Sequence, residues 1–428
     1  MTSEKLAVHG GTPVRTEPLS MTSWFIGDEE RDALMDVMDG AEESWGKAGY
    51  SRKLEDLFAE MHGVKYAFAT DSGTGAIHAA IGAVDPEPGD EIITAPATDI
   101  GSVLGILIQN AIPVFADWDA DTLNMDAADA ERRITDRTRA ILVVHWAGNP
   151  CDMDAFMDIG RRYDLPIIED CSHAHLSEYQ GKLVGTIGDM GCFSLGSKMI
   201  TAAGGGMFIS DDERMARRAK GFAAKGSEYD DELRNSLRPT SEFRGSSRGY
   251  EFLGDYHHMS PLMAAVGYAQ LKKVQQTLAA RRQMADIVDE MTAEVPGFVR
   301  PKVRPGDKMS YYVYCYKIEE EEMGVSPDEF ARAPAAEGIA NTPGILAGQP
   351  LYKFPLFAEE NTYGTSSYPF VDESGNRRID YQSMHLPVVE REMPKMAFIM
   401  ARNHHTDQDA RDIGTAIQKV AEYYYSRK

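Results

Sequence analysis

Short β-branched runs alternate with longer stretches in which apolar residues recur every three or four positions. Tyr66–Thr70, Asp90–Thr94, Ile112–Ala116, Arg139–Val144, Leu165–Ile168 and Met207–Ser210 have the length and content of buried strands. Between them, helical spacing is read over Ile77–Val84, Gly101–Asn110, Met153–Tyr163 and 211–222. Two helices precede the first strand: Ile26–Met38, with an acidic first turn at Asp28, Glu29 and Glu30, and Ser51–Met61, with Leu54, Leu57, Phe58 and Met61 on one face. This alternation predicts an α/β fold with a largely parallel sheet and helices on both faces.

Beyond the last of these strands the pattern changes. From Gly226 to Tyr250 the chain is polar and rich in Gly, Ser and Arg, as in a long loop. A helix follows over Ser260–Leu278 and continues to about Glu294; Tyr311–Ile318 alternates like a strand. Ser326–Glu337 and Gln408–Tyr425 read as helices. The expected organisation is an arm over 1–25, a large domain over 26–279 and a smaller α+β domain over 280–428.

At 428 residues, with 43% apolar content, the chain can bury ample core. A formal charge of −23 argues against partners such as nucleic acid or an anionic membrane surface. No window is long and apolar enough for a membrane span, and the start lacks a signal-peptide hydrophobic region. The four cysteines, Cys151, Cys171, Cys192 and Cys315, form no CxxC pair. A reduced, cytoplasmic setting is the expectation.

The chemistry concentrates after Pro166. Pro166-Ile-Ile-Glu-Asp170-Cys-Ser-His173-Ala-His175 is a strand that ends in carboxylates, where open α/β sheets bind ligands. Gly188-Asp189 and Phe193-Ser194 follow, then Lys198, then Gly204-Gly205-Gly206. A lysine after small residues and an aspartate at a strand end are the pair that pyridoxal 5′-phosphate (PLP) chemistry uses. The lysine forms the Schiff base; the aspartate keeps the pyridine nitrogen protonated, so the ring serves as an electron sink. Upstream, Asp71-Ser-Gly73-Thr74-Gly75 joins a strand to a helix start, the physical parts of a phosphate cradle.

These motifs, in this order, resemble the DegT/DnrJ/EryC1/StrS aminotransferases, which act on keto-sugars and keto-cyclitols. The resemblance extends from Gly10 to about Leu271 and is weaker beyond. It implies a fold-type I enzyme with a seven-stranded, mostly parallel sheet and a homodimer with sites at the interface. It implies PLP as cofactor, glutamate or glutamine as amino donor and a biosynthetic ketone as acceptor. The catalytic residues would be Lys198, which also shuttles the proton as a neutral amine, and Asp170. Gly73, Thr74, Gly75 and Ser194 would hold the phosphate. His173 stands where the family usually has glutamine against the phenolate oxygen. His175 matches a family histidine, with a structural or functional role both open. Tyr256 falls at the Asn of a family Asn-x-Arg-Met motif that reaches across the dimer.

Beyond His173 and Tyr256, the chain departs from the family at four further points. Asp99 occupies the place of the aromatic that often stacks on the cofactor ring, and a carboxylate cannot stack. Gly204 stands where glutamate is common. Ser194 and Lys198 are one residue closer than usual. His258 replaces an arginine and carries charge only near or below neutral pH.

Other readings remain open on the residues alone. One is a PLP-dependent sugar dehydratase, disfavoured because family dehydratases replace the lysine with histidine. Another is a non-catalytic binding protein on the same fold. A metal site at Asp170, Cys171, His173 and His175 lacks a second ligand cluster, and no metal is expected. The glycine run lies before a strand rather than between strand and helix, which disfavours a nicotinamide site. Arg244 and Arg248, in the polar loop, are candidates to meet an acidic substrate group.

Overall fold

The computed structural model describes residues 5–19, 26–40, 49–227, 250–344, 348–372 and 374–428. Arg244, Arg248 and most of the polar loop lie outside the described residues.

Seven strands form the main sheet: β1 (Tyr66–Thr70), β2 (Glu91–Thr94), β3 (Ile112–Phe115), β4 (Thr138–Val144), β5 (Ile167–Asp170), β8 (Met190–Ser194) and β9 (Gly206–Ser210). Their order is β1-β9-β8-β5-β4-β2-β3. Every pairing from β8 through β5, β4 and β2 to β3 is parallel; β9 runs against both β8 and β1. The mostly parallel, seven-stranded sheet expected from the sequence is therefore present. Strands β2, β3, β5 and β9 are buried along their whole length, which is why they read as continuous apolar runs rather than alternating ones. The strand β8 and the hairpin of β6 (Glu178–Tyr179) and β7 (Lys182–Leu183) were not among the strands named from the sequence.

The long helices are α1 (Asp28–Asp39), α2 (Tyr50–His62), α3 (Gly73–Val84), α4 (Gly101–Ile108), α5 (Met153–Tyr163), α6 (Glu213–Phe222), α7 (Pro261–Lys272), α8 (Val274–Thr292), α9 (Pro327–Ala336) and α10 (Asp407–Tyr425). Helix α3 is apolar nearly all round because it is enclosed by α4, α6 and strands β8 and β9. The single helix expected over Ser260–Leu278 is two: the backbone breaks at Lys273 (φ −110°, ψ 9°), and α8 begins there. The expected domain boundary at 279/280 falls inside α8.

A second, antiparallel sheet holds β10 (Phe298–Val299), β11 (Val313–Ile318), β13 (Met396–Met400) and β12 (Asn341–Pro343), in that order. Helices α8 and α10 pack on each other beside it. The arm docks on this side of the chain. Buried Glu337 accepts the backbone N–H groups of Ala7 (2.8 Å) and Val14 (3.0 Å) and pairs with Lys419. Among the described residues, no helix is long and apolar enough to cross a membrane.

Candidate active site

The carboxyl ends of β4 and β5, the start of α3, the start of α4 and the turn after β8 enclose a cleft of about 200 Å³. Asp170, His173, Ser194, Lys198, Gly73, Thr74 and Asp99 all line it, together with Ser102. Asp170 is the last residue of β5 and is 3% exposed. A lone buried carboxylate would be costly, and this one is paired at both oxygens. Oδ2 accepts from the Ser102 hydroxyl at 2.7 Å, and Oδ1 from the Ser172 backbone N–H at 3.0 Å. The single Ser102 proton is committed to Asp170, so Ser102 accepts from Thr98 Oγ1, 2.8 Å away. Ser102 and Thr98 were not singled out in the sequence.

The phosphate cradle has the expected strand–turn–helix form. Ser72 caps α3, its Oγ accepting from the Gly75 N–H at 2.9 Å. A Cβ on Gly73 would lie 2.5 Å from the Ser194 Cβ, so only glycine lets Ser194 stand against the first turn of α3. First-turn amides, Thr74 and Ser194 thus share one wall, suited to an anion. Gly75 does not line the cleft; its N–H is taken by Ser72, and a Cβ there would meet Asp71 Oδ1 at 2.3 Å and His257 Nδ1 at 2.9 Å.

Lys198 is brought to the same cleft. Its Nζ lies 3.4 Å from the Tyr312 hydroxyl and 4.4 Å from that ring's centroid. His173 stacks on the other partner of this group: its ring lies 4.3 Å from Tyr312, tilted by 12°. The His173 Nδ1 is buried with no hydrogen-bond partner. Burial, with the Lys198 charge nearby, pushes the His173 pKa well below its ordinary value, so the ring is neutral. His175 sits one layer deeper. Its Nε2 bonds the Ser194 carbonyl at 2.8 Å, and burial lowers its pKa to about 3. It thereby braces the backbone of the cradle serine.

Two arginines stand near Tyr312 without a carboxylate partner among the described residues. Arg281, fully buried, bonds Asn403 Oδ1 (2.9 Å) and the Tyr311 carbonyl (3.2 Å). Burial and the neighbouring Arg402 push its pKa down to about 9. The Nε of Arg402 is buried and unbonded.

The residues fit PLP. A buried, pre-bonded carboxylate, a lysine and a helix start suited to an anion face one cleft, and Gly73 lets the Ser194 hydroxyl stand beside that helix start. The profile of the DegT/DnrJ/EryC1/StrS aminotransferase family matches residues 25–391. The chain belongs to that family.

A putative L-glutamine:3-amino-2,3-dideoxy-scyllo-inosose aminotransferase of Micromonospora echinospora is 33% identical over 98% of this chain and 97% of its own. GDP-perosamine synthase of Escherichia coli O157:H7 is 34% identical over 83% of this chain and 90% of its own. The crystal structure of an aminotransferase from Psychrobacter cryohalolentis superposes with a TM-score of 0.81, at 26% identity, over 95% of this chain and all of that one. The fold is that of the fold-type I PLP-dependent aminotransferases, and the chain is a PLP-dependent aminotransferase.

Its departures from the family pattern have structural counterparts. Asp99 turns the chain into α4: Oδ1 accepts the Gly101 N–H at 2.8 Å, and the ring lining the cleft is that of His173, which stacks on Tyr312. The short connection to Lys198 passes through Ser197 at φ 53°, a left-handed conformation uncommon outside glycine. Gly204, at φ 134°, packs where a Cβ would lie 2.6 Å from Met263 Cε, so a glutamate there would displace Met263. Tyr256 is not in the cleft of its own chain. It is 56% exposed, stacks on His258 and carries Lys225 over its ring.

Proposed function

We propose that this aminotransferase moves an amino group from glutamine or glutamate to the ketone of a cyclitol or a sugar, with the cyclitol favoured. The observation that carries the catalytic assignment is the shared cleft of Lys198 and the doubly bonded, buried Asp170. The substrate class rests on the near full-length similarity to glutamine:inosose aminotransferases.

Bound PLP supplies a ring that accepts the electron pair left at the donor's α-carbon. In this reading Asp170 would hold a proton at the ring nitrogen, and Ser102 and Ser172 keep its carboxylate aimed. Lys198 would be the residue that holds the cofactor, and its amine would move the proton at the donor's α-carbon. Gly73, Thr74 and Ser194, with the amides of α3, hold the phosphate. The neutral His173 offers an N–H to the phenolate oxygen. Arg402, partly buried and with its Nε unbonded, would offer the donor's carboxylate a counter-charge, with Arg281 packed behind it.

A two-fold dimer fits the exposed run over 250–256, where Leu253 is 89% exposed, since single-chain surfaces rarely leave such side chains clustered. Tyr256 would then face the partner subunit's cleft. Four buried, unpaired cysteines accord with a reducing cytoplasm. The test is incubation with PLP, glutamine and a keto-cyclitol. A glutamine-dependent amine product supports the reading. A protein that binds PLP but passes no amine to any cyclitol or sugar ketone ends the acceptor assignment.

A further inference from the structure

One cluster beside the cradle has no part in the reaction above. We propose that His78, His257 and Asp255 form a binding site for a divalent transition metal of the zinc class, tying the segment around residue 255 to helix α3.

His78, on the second turn of α3, is 2% exposed; Asp255 and His257 come from the segment that leads into α7. His78 Nδ1 lies 3.0 Å from His257 Nε2, and each lies 3.5 Å from Asp255 Oδ2. Nitrogen and oxygen ligands about 2.0–2.1 Å from a tetrahedral zinc are about 3.3–3.4 Å from each other. The three atoms therefore already have the mutual spacing of ligands, with a fourth position left for water on the exposed side of Asp255.

The outer partners prepare the two rings. His257 Nδ1 lies 3.3 Å from the Asp71 carboxylate, which can only accept, so the proton is on Nδ1 and Nε2 faces inward as a lone pair. As placed, the Gln109 side-chain N–H donates to His78 Nε2 at 2.9 Å, which leaves the His78 proton on Nδ1, shared with His257 Nε2. A half-turn of that amide presents its oxygen, placing the His78 proton on Nε2 and freeing Nδ1. Two lone pairs and a carboxylate then converge with no proton among them, which is an arrangement that a cation resolves. Two imidazoles with one carboxylate favour zinc, cobalt or nickel over magnesium or calcium.

A second cluster shows the contrast. His145, Glu169 and Cys171 are equally close and wholly buried. There, however, Glu169 already accepts the N–H groups of Gly185, Ile187 and Gly188, and His145 Nδ1 accepts that of Cys151. Its lone pairs are spent on the backbone, so it is a structural knot. In the His78 cluster the Tyr256 N–H is bonded to Asp255 Oδ1 at 2.7 Å, while Oδ2 faces the two imidazoles, and Gly75 is a glycine where a Cβ would press on His257.

The test uses tag-free, full-length protein with PLP present, treated with a chelator and then titrated with zinc or cobalt(II). The expected result is one metal per chain and the intense visible bands of tetrahedral cobalt(II). Asp255→Asn and His257→Gln, both outside the buried core, should weaken binding about tenfold or more, in line with the loss of a site partner. Unchanged circular dichroism and PLP absorbance would show that these variants fold and keep the cofactor site. Absence of stoichiometric metal in the wild type, or equal binding in both variants, would overturn the proposal.

Discussion

Asp170 and Lys198 line one cleft but are held in opposite ways. Asp170 is the end of a buried strand, and both its oxygens are bonded before any ligand arrives. Lys198 is only partly buried, follows a residue in a left-handed conformation, and has as its nearest polar partner the Tyr312 hydroxyl at 3.4 Å. In the proposed mechanism the fixed carboxylate would set the cofactor's electronics, which must not vary during turnover. The loosely held amine would be the group that moves, carrying a proton during turnover. Rigidity and freedom are therefore divided between the two groups according to what each does.

The largest effect that would separate the two is at the mobile group. Lys198→Ala should lower turnover by about 10²–10⁴-fold or more, the range for a positioned acid–base, and remove the visible band of lysine-bound PLP. Retained turnover would break the comparison outright. Asp170→Asn should keep that band while lowering turnover by about 10²–10³-fold, since it removes charge and not contact. Arg402→Leu should raise KM for the amino donor by about tenfold, roughly the worth of a charge-assisted hydrogen bond, and leave KM for the ketone unchanged. An equal rise for both substrates would move Arg402 out of the donor site. Ser102→Ala sharpens the contrast on the rigid side: kcat should fall by about fivefold to tenfold as Asp170 loses one of two donors, with fold and PLP content intact.

The smallest effect is on stability. His175 titrates at about 3 and His62 at about 4 in the folded chain, both lowered by burial from 6.5. Their folded pKa values lie below the unfolded ones, so the unfolded chain binds more protons between pH 3 and 6.5. The stability due to burying them neutral is complete above pH 6.5 and declines as the pH falls, by up to about 1.4 kcal/mol per unit for each ring. Melting curves of His175→Gln between pH 7 and 5 should be flatter than those of the wild type; parallel curves would contradict this.

The two halves of the site also differ in how far they could be read from the chain. Asp170, Ser194 and Lys198 fall within one short stretch, and the strand-end carboxylate and glycine run carry a recognisable local logic. Ser102 did not stand out, because a serine early in a helix is ordinary and its partner is 68 residues away. Tyr312 meets Lys198 and His173, and the arginines stand near Tyr312, only through tertiary packing, which periodicity does not encode. The same limit affects the second sheet. Met396–Met400 follows a proline-containing turn, and Asn341–Pro343 is three residues long, so neither has the alternation of a strand in isolation. The break at Lys273 is likewise set by packing, since no Gly or Pro marks it.

The most direct test of the central claim is the absorbance spectrum of the purified protein with PLP, before and after addition of glutamine alone. The account predicts a visible band that falls as a near-ultraviolet band rises, with the amine retained on the cofactor. No visible band after PLP is supplied would contradict the assignment of Lys198 and Asp170, and with it the catalytic reading of the cleft.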